Sequence, residues 1–224
     1  MSSSIAPTDV APSTVGRRER KAEETRRRIL EAAQKQMSIG GPESVTIQSV
    51  TEGADIGQGT FYNYFKSRDE LVDAVIRDVV ENLGRRLDAL TRDMKDAAEI
   101  YSFSLRHLMH TAVSDPVWGW FMVRLGIAQE GLLEALGPRA SRDIQIGIDS
   151  GRFVLKDVSI ASAMTFGSML AVMHDYLDGD RKEDPSSMYA AMLLRMVGIS
   201  PEEAEEISLR PLPPLPELDS SEMA

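Results

Sequence analysis

Along most of this chain, apolar residues recur at intervals of three or four positions, which is the spacing of amphipathic helices. A first helix is predicted over about residues 22–38 and a long fourth helix over about residues 68–90. Their inward positions are Ile29, Leu30, Ala33 and Met37 in the first and Leu71, Val75, Val79 and Leu83 in the fourth. No stretch sustains the period-two alternation of a half-buried strand, so the pattern predicts an all-α fold.

Residues that favour helix ends indicate where the other predicted helices begin. Thr46 suits the N-cap of a short second helix over about 47–52, and Ser67 with Glu70 forms a capping box at the start of the fourth helix. Asp115-Pro116 and Asp184-Pro185 each pair a cap with a proline. In the second half, helices are predicted over about 96–113, from 116, over 129–136, 139–150, 158–177 and 185–197, and as a last turn from Ser200.

Between the second and fourth helices lies a ten-residue stretch, 57–66, that is unusual for a core helix. As a third helix it has only two large apolar anchors, Phe61 and Phe65, which stand at i and i+4 on one face. The other positions carry hydroxyl, amide and lysine side chains, which can hydrogen-bond phosphates or base edges without introducing negative charge. Two short helices joined by a glycine-containing turn have the spacing of a helix-turn-helix.

The net charge of −10 argues against a nucleic acid partner only if it is taken as a single number. Residues 1–68 hold ten basic and eight acidic residues, whereas residues 69–224 hold fifteen and twenty-seven. A slightly basic amino-terminal part on a strongly acidic body suggests that one end of the protein faces a polyanion. The chain has no cysteine, no apolar run near the ~20 residues of a membrane span and no signal-peptide pattern, so a cytoplasmic protein with no membrane partner is predicted.

Composition divides the chain into four segments. Residues 1–20 are predicted to be a disordered arm with a basic end, 21–68 a helix-turn-helix domain, 69–200 a helical body and 201–224 a proline-rich acidic tail. Basic residues cluster at 17–21 and again at 26–28, which leaves two interpretations open: a solvated helix face or an arm that contacts phosphates. The run Leu212-Pro213-Pro214-Leu215-Pro216 cannot be helical.

Residues 25–71 resemble the amino-terminal part of the TetR-type bacterial transcriptional repressors. The resemblance rests on Arg26-Arg27-Arg28-Ile29 in the first helix, Gly41, Thr46, the run Gly59-Thr60-Phe61-Tyr62-Asn63-Tyr64-Phe65-Lys66 and the helix start Ser67-Arg68-Asp69-Glu70-Leu71. Three positions depart from the family pattern: Thr51, Asp55 and Gly57. Asp55 stands where the family usually has glycine, and Asp tolerates the left-handed conformation better than most residues. The resemblance implies a small DNA-binding head and a larger helical body that dimerises and holds a small ligand.

The resemblance also implies which residues of the head contact DNA. Base edges in the major groove are read by Gln58, Thr60 and Asn63, since amides pair with adenine and a threonine methyl contacts thymine. The implied phosphate contacts are Thr46 at a helix amino terminus, Tyr62, Tyr64, Lys66 and Arg68. For each tyrosine the alternative is a packing residue with a hydrated hydroxyl. The implied partner is a palindromic double-stranded DNA operator bound by a homodimer.

The last two long helices of such repressors pair with their copies in a four-helix bundle. Here small residues along the predicted helix over 158–177 permit close approach, and methionines line the one over 185–197. The interface predicted in this way comprises Ala163, Met164, Gly167, Ser168, Ala171, Met188, Met192, Leu193 and Met196. The alternative is that either stripe packs inside its own subunit.

The ligand pocket is expected among the predicted helices between residues 96 and 177. The candidates are aromatic, methionine and histidine side chains: Phe103, His107, Trp118, Phe121, Met122, Phe166, Met169, Met173 and His174. Pockets are mostly apolar with a few polar groups, although an ordinary core has the same composition. Because few charges fall on these stripes, the predicted effector is an apolar or amphipathic small molecule.

Other chemistry has weaker support. His107 and His110 stand three apart and His174 lies on another helix, but no acidic third ligand shares their face, so no metal site is predicted. No phosphate-binding loop, nucleophile motif or HExxH is present, so neither an enzyme nor a cofactor is predicted. The prediction is a DNA-binding repressor released by its ligand through movement of the fourth helix. A ligand-independent DNA-binding protein and a helical metal-binding protein are the alternatives.

Overall fold

The computed structural model describes residues 16–126, 130–179 and 183–217, so the predicted arm at 1–15 and the end of the predicted tail at 218–224 lie outside the described residues. Within these ranges the chain is helical and has no strand, which confirms the all-α prediction. The helices are α1 (Arg17–Gly40), α2 (Ile47–Gly53), α3 (Gln58–Phe61), α4 (Arg68–Thr91), α5 (Ala97–Ser114), α6 (Pro116–Leu125), α7 (Glu130–Asp149), α8 (Val158–Asp178), α9 (Ser186–Met196) and α10 (Pro201–Leu209). None of the described helices has the length and apolar character needed to cross a bilayer.

Side-chain caps begin the helices of the head where the sequence places them. Thr46 Oγ1 accepts a hydrogen bond from the Ser49 amide at 3.1 Å, and Ser67 Oγ accepts one from the Glu70 amide at 3.1 Å. Glu70 Oε2 reaches back one residue further than a capping box requires and accepts from the Lys66 amide at 2.7 Å. The start of α4 is thereby joined to the end of the segment before it.

α1 begins earlier than predicted, at Arg17 instead of Ala22. Gly16 donates its amide hydrogen to Glu19 Oε2 at 2.8 Å, which caps the helix, and most of the following residues are good helix formers. The basic end of the predicted arm, residues 17–20, is therefore helical.

Two boundaries in the body also differ from the prediction. The separate helices predicted over 129–136 and 139–150 are one helix, α7, which continues through Pro138. The φ of a proline suits a helix, and the packing of α7 against α4, α5 and α8 offsets the one backbone hydrogen bond that the ring removes. Residues 201–209, assigned to the tail, form α10, whose Ile207 is fully buried.

α1 builds the head and also joins it to the body. Its buried residues begin only at Ile29, from where it packs on α2 and α4, and it lies against α6 of the body. Gly41 follows it with a φ of 78°, and a Cβ at this glycine would lie 3.8 Å from the Arg124 carbonyl oxygen of α6. The carboxyl-terminal end of α1 therefore abuts the body, whereas residues 17–28 at its other end are not buried.

α5 lies at the centre of the body, in contact with α6, α7, α8, α9 and α10. Arg152, in the loop before α8, pairs with Asp96 at 2.9 Å and with Glu203 of α10 at 2.6 Å. These ion pairs tie the start of α5 to both the α7–α8 connection and α10.

The proline-rich segment after α10, residues 211–217, is not helical, as its sequence predicts. It crosses the body under two guanidinium groups: Arg106 donates to the Arg210 carbonyl at 2.7 Å, and Arg86 donates to the Pro216 carbonyl at 3.0 Å. Because prolines offer carbonyl acceptors but no amide donors, arginine is a suitable partner for this segment.

Candidate nucleic-acid interface and ligand cavity

The turn between α2 and α3 depends on Asp55, the only residue other than glycine with a positive φ, 51°, in the described part of the chain. Asp tolerates this left-handed conformation, in which most side chains would be strained. The turn is closed by the Ile56 amide, which donates to the carbonyl of buried Thr51 at 3.0 Å. A helix-turn-helix turn therefore forms here without glycine at position 55.

The recognition segment, residues 57–66, is helical only over α3 and continues as a turn, so the predicted third helix is shorter than expected. The Asn63 and Tyr64 amides donate to the carbonyls of the residues three positions earlier, at 3.1 and 2.9 Å, which tightens the backbone after α3. The two anchors nevertheless share a face: Phe61 and Phe65 are buried, and their ring centroids lie 5.9 Å apart.

Most of the predicted DNA contacts are open to solvent. The exposed ones are Thr46, Gln58, Tyr62, Asn63 and Lys66, and Thr60 is half-buried. Tyr62 is 57% exposed, and its ring is held edge-on to that of Phe61 at a centroid distance of 5.4 Å. A short, anchored segment thus presents amide, hydroxyl and ammonium groups to solvent.

Tyr64 and Arg68 are engaged within the head. Tyr64 is partly buried and packs against the core. Arg68 Nε donates to the Val45 carbonyl at 3.0 Å, its Nη2 donates to the Pro42 carbonyl, and its Nη1 pairs with Asp69 at 2.7 Å. The guanidinium ties the start of α4 to the loop before α2, which gives Arg68 a positioning role.

The body encloses a cavity between α4, α5, α7 and α8. Its apolar lining includes Leu87, Leu105, Leu108, Leu136, Phe166 and Met169. The space available to the centre of a water molecule is about 40 Å³. A volume of this order can admit only a small molecule.

One wall of the cavity carries charge. Asp88 of α4 bridges two arginines of α7, since its carboxylate oxygens accept from Arg139 Nε and from Arg142 Nη2, each at 2.8 Å. Asp143 also accepts from Arg142 Nη2 at 2.8 Å, and burial raises the pKa of its carboxyl. Hydrogen bonds to Glu81 raise the pKa of Arg139, whose positive charge is thereby secured. Guanidinium and carboxylate groups from two neighbouring helices thus meet at a largely apolar cavity.

Gly84 makes room for this cluster. A Cβ at this position would lie 2.8 Å from Arg139 Cζ and 2.9 Å from its Nε and Nη1, which is closer than real contacts allow. The missing side chain lets the guanidinium lie directly against α4, where it bonds Asp88 at 2.8 Å and both carboxylate oxygens of Glu81 at 2.8 and 3.1 Å.

Tyr101 and Thr165 add a hydrogen-bonded pair to the cavity lining, with their hydroxyl oxygens 2.6 Å apart. Thr165 donates its own hydrogen to the Ala161 carbonyl at 2.8 Å, so the hydrogen between the two hydroxyls comes from Tyr101. Burial raises the pKa of Tyr101, which keeps this hydroxyl protonated. Its oxygen lone pairs remain able to accept a hydrogen bond from a ligand hydroxyl.

Of the predicted ligand-binding residues, Phe166 and Met169 line this cavity. The others lie outside its lining: Phe103, His107, Trp118, Phe121, Met122 and Met173 are buried elsewhere in the body, and His174 is exposed. The His174 ring stands edge-on to that of Trp120 at a centroid distance of 5.6 Å.

The charged lining residues were missed in the sequence. The sequence does place three of them on one face of α7, at i, i+3 and i+4: Arg139, Arg142 and Asp143. This spacing could have indicated a charged lining. No local spacing indicates that Asp88 belongs to the same cluster, since its arginine partners lie more than fifty positions away in the chain. The lining of this cavity therefore carries more charge than the sequence predicts for the ligand pocket.

The predicted interface residues differ in burial. Ala163, Met164, Ala171, Met188 and Met192 are exposed, Gly167, Ser168 and Met196 are half-buried, and Leu193 is buried in its own subunit. Tyr189 of α9 donates to the Thr165 carbonyl of α8 at 2.6 Å, and its hydroxyl lies 3.0 Å from Ser168 Oγ. These bonds link α9 to α8, the two helices that carry the exposed methionines.

The histidines of α5 have separate surroundings. His107 is buried, and burial lowers its pKa to about 4, which leaves the ring neutral. His110 Nδ1 lies 2.8 Å from Asp184 Oδ2. In the part of the chain that the structure describes, no three His, Asp or Glu side chains converge in a way that could hold a metal ion.

Two family models match the sequence. Residues 29–75 match "Bacterial regulatory proteins, tetR family", and residues 96–210 match "Tetracyclin repressor-like, C-terminal domain". The first match covers the helix-turn-helix, and the second runs from the start of α5 to the end of α10.

Two solved structures are similar over most of the chain. RolR in complex with resorcinol is 42% identical, with a TM-score of 0.69 over 88% of this chain and 99% of that one. FadR from Bacillus subtilis in complex with stearoyl-CoA is 18% identical, with a TM-score of 0.67 over 77% of this chain and 97% of that one, and shares the fold.

Curated relatives match over shorter stretches. The HTH-type transcriptional repressor KstR of Rhodococcus jostii is 34% identical over 88 residues, 38% of this chain and 42% of that protein. KstR of Mycolicibacterium smegmatis is 42% identical over 71 residues, 30% of this chain and 31% of that protein. The chain thus spans less than half the length of these curated relatives. With both family models matched, the chain belongs to the TetR family of transcriptional regulators, which join a DNA-binding helix-turn-helix to a ligand-binding helical domain and are not enzymes.

Proposed function

We propose that the protein is a homodimeric cytoplasmic repressor that binds a palindromic operator and releases it when a small hydroxylated aromatic compound enters the body cavity. The observation that carries the proposal is this cavity, which is small, mostly apolar and charged along one wall. The head supplies the contact with DNA, and the body supplies the contacts with the ligand and with the second subunit.

The recognition segment suits a DNA partner because residues 57–66 contain no carboxylate and expose several hydrogen-bonding side chains. The base-reading residues in this proposal are Gln58, Thr60 and Asn63, and the phosphate-contacting residues are Thr46, Tyr62 and Lys66. Arg68 and the partly buried Tyr64 hold the segment in place from within the head.

The methionines of α8 and α9 support a dimer. Met164 is 53%, Met188 62% and Met192 61% exposed. Such exposed apolar side chains on neighbouring helices favour an interface with another protein surface. A twofold axis through this surface would bury them and direct two heads toward half-sites about one helical turn (~34–36 Å) apart.

Cavity size selects the class of ligand. The ~40 Å³ open to the centre of a water molecule suits a compact ligand such as one substituted ring. The resorcinol bound by RolR is a single ring with two hydroxyl groups, whereas the stearoyl-CoA bound by Bacillus subtilis FadR is far larger than this cavity. The size and the 42% identity to RolR therefore favour a single-ring compound.

The lining also suits the polar groups of such a compound. A phenolic hydroxyl can donate to Asp88 and accept from Arg142, and a second hydroxyl can donate to the oxygen of Tyr101. The ring would pack against Phe166 and Met169. A hydroxyl that binds Asp88 competes with Arg142 for the same carboxylate, and so alters the contact between α4 and α7.

Titration with resorcinol, catechol and phenol tests the proposal, with a duplex selected by the protein from a random-sequence pool as the operator. At saturation, at least one compound should raise the melting temperature and weaken operator binding by about tenfold or more, measured by fluorescence anisotropy. If none of the three changes operator affinity, the proposed effector class is wrong.

Tyr101→Phe and Tyr189→Phe form a matched pair for this test. Each removes one buried hydroxyl next to Thr165, but only Tyr101 lines the cavity. Tyr101→Phe should weaken effector binding by about fivefold, the value of one hydrogen bond of ~1 kcal/mol, whereas Tyr189→Phe should leave it unchanged. An equal effect of both substitutions in calorimetric titration would place the ligand elsewhere.

A further inference from the structure

We propose that residues 17–28 of α1, here called the basic extension, form a second DNA-contacting surface that binds phosphates outside the base pairs covered by the recognition segment. The proposal rests on the proposed function of the head, and it adds a contact that lies outside residues 29–75 matched by the family model of that domain.

The basic extension projects beyond the packed part of the head. None of its residues is buried, and the first buried residue of α1 is Ile29. Arg26 contacts the recognition segment, with its Cζ 5.6 Å from the ring centroid of Phe65. The nine residues before Arg26 continue as helix for about 13 Å at 1.5 Å per residue.

The direction of the basic extension follows from how α1 is held. Its carboxyl-terminal end abuts α6, and its amino-terminal end lies about 35 Å away along the same 24-residue helix. Arg26 passes beside Phe65, next to the exposed Lys66 at the end of the recognition segment. The basic extension therefore leaves the head beside the proposed DNA contacts and continues past them.

Charge on the basic extension suits a polyanion. It contains seven basic and three acidic residues, in a protein whose net charge is −10. Arg17, Arg20 and Lys21 stand at i, i+3 and i+4 on one face, are exposed, and form no ion pair with any described residue. Two of the acidic residues serve the helix itself: Glu19 caps it at Gly16, and Glu24 pairs with Arg27 at 2.7 Å.

Two alternatives explain less of this arrangement. An anionic membrane would require an apolar face, but Ala22 is the only apolar residue between 17 and 28. A merely solvated face would not require a basic stripe on a helix whose Arg26 lies against the recognition segment. Duplex DNA that continues beyond the half-site would offer phosphates to these side chains.

The test compares the wild-type protein with Arg17→Ala/Arg20→Ala/Lys21→Ala. Alanine is the best helix former, so the helix is retained, which circular dichroism can verify. The control, Lys95→Ala/Lys156→Ala/Arg195→Ala, removes three exposed positive charges from the body. The probes are a duplex selected by the wild-type protein and trimmed to its core site, and the same site extended by about ten base pairs at each end.

Wild-type protein and the control should bind the extended duplex about tenfold or more tightly than the core duplex. The triple variant of the basic extension should lose this gain, and its slope of log K against log salt should fall by about 0.9 for each phosphate that the variant no longer neutralises. Equal length dependence and equal slopes in the variant and the wild type would overturn the inference while leaving the proposed function intact. If the wild-type protein selects no sequence at all, the proposed function itself fails.

Discussion

Gly84→Ala offers a sharp test of how α4 and α7 build the charged wall of the cavity. The new Cβ would lie 2.8 to 2.9 Å from three guanidinium atoms of Arg139. Ordinary contact requires ~3.5–4.0 Å, so the guanidinium must retreat by about 1 Å. Its hydrogen bonds to Asp88 at 2.8 Å and to Glu81 at 2.8 and 3.1 Å would then lengthen beyond the range of a hydrogen bond.

The effect of this substitution on stability should be small because two terms oppose each other. Alanine in a helix interior is favoured over glycine by about 0.5–1 kcal/mol. The displaced ion pairs are partly solvated, with Arg139 side-chain exposure of 20%, and pairs of this kind contribute about 0–1 kcal/mol. The free energy of unfolding, measured by urea titration, should therefore change by less than about 1 kcal/mol in either direction.

The effect on the effector should be larger. Arg139 lines the cavity and fixes the carboxylate of Asp88, so its retreat removes or misplaces charged partners of a ligand hydroxyl. Hydrogen bonds to charged groups contribute about 1.5–3 kcal/mol, which corresponds to a loss of about 10- to 150-fold in effector affinity. Isothermal titration calorimetry measures this loss of affinity, with the effector identified among resorcinol, catechol and phenol.

A double-mutant cycle with Arg139→Ala separates the collision from other effects of the methyl group. Without the guanidinium there is nothing for the Cβ to displace, so Gly84→Ala should be neutral for effector binding and stabilising by about 0.5–1 kcal/mol in that background. The reasoning is refuted if Gly84→Ala leaves effector affinity within twofold of wild type, or if its effect is the same with and without Arg139.

Two further predictions concern the dimer and the pH dependence of stability. Met164→Asp/Met192→Asp should convert a dimer to a monomer in sedimentation experiments, whereas Val154→Asp, at another exposed apolar position, should not. Burial raises the pKa of the Asp96 carboxyl, but the hydrogen bonds from Arg152 lower it by more. The pKa of Asp96 therefore lies below its ordinary 3.8. Because this pKa is lower in the folded state, ionised Asp96 stabilises the protein above pH 3.8, and the stabilisation is lost as the pH falls through the folded-state pKa. The urea midpoint of the wild type should therefore fall between about pH 5 and 3, and Asp96→Asn should make this fall smaller.

The head was largely predictable because its determinants are local. Thr46 and Ser67 cap helices through residues three positions away, and Phe61 and Phe65 pack together four positions apart. The sequence did not indicate how short α3 is. The i→i+3 hydrogen bonds after Phe61 and the i→i+4 bonds of a regular helix differ little in energy, so residue types alone do not decide between them.

The cavity was not predictable to the same degree because its determinants are distant in sequence. Asp88 meets arginines of another helix, and Tyr101 meets Thr165, 64 positions away. Hydrophobic periodicity identifies which face of a helix is inward, but not which inward residues surround empty space. Trp118, Phe121 and Met173 are of residue types common in pockets, but they are buried outside the lining of this cavity.

α4 is the physical connection between the two parts of the proposed mechanism. Its first residue, Arg68, is bonded to the loop before α2, and Asp88 near its other end is bonded to α7 at the cavity wall. Twenty residues of continuous helix place these two points about 30 Å apart. In the proposed mechanism, a ligand hydroxyl replaces Arg142 as the hydrogen-bond donor to Asp88 and so shifts one end of α4. The other end of this helix is bonded to the head. Because coupling between two binding sites is reciprocal, operator DNA must then weaken effector binding by the same factor by which effector weakens operator binding.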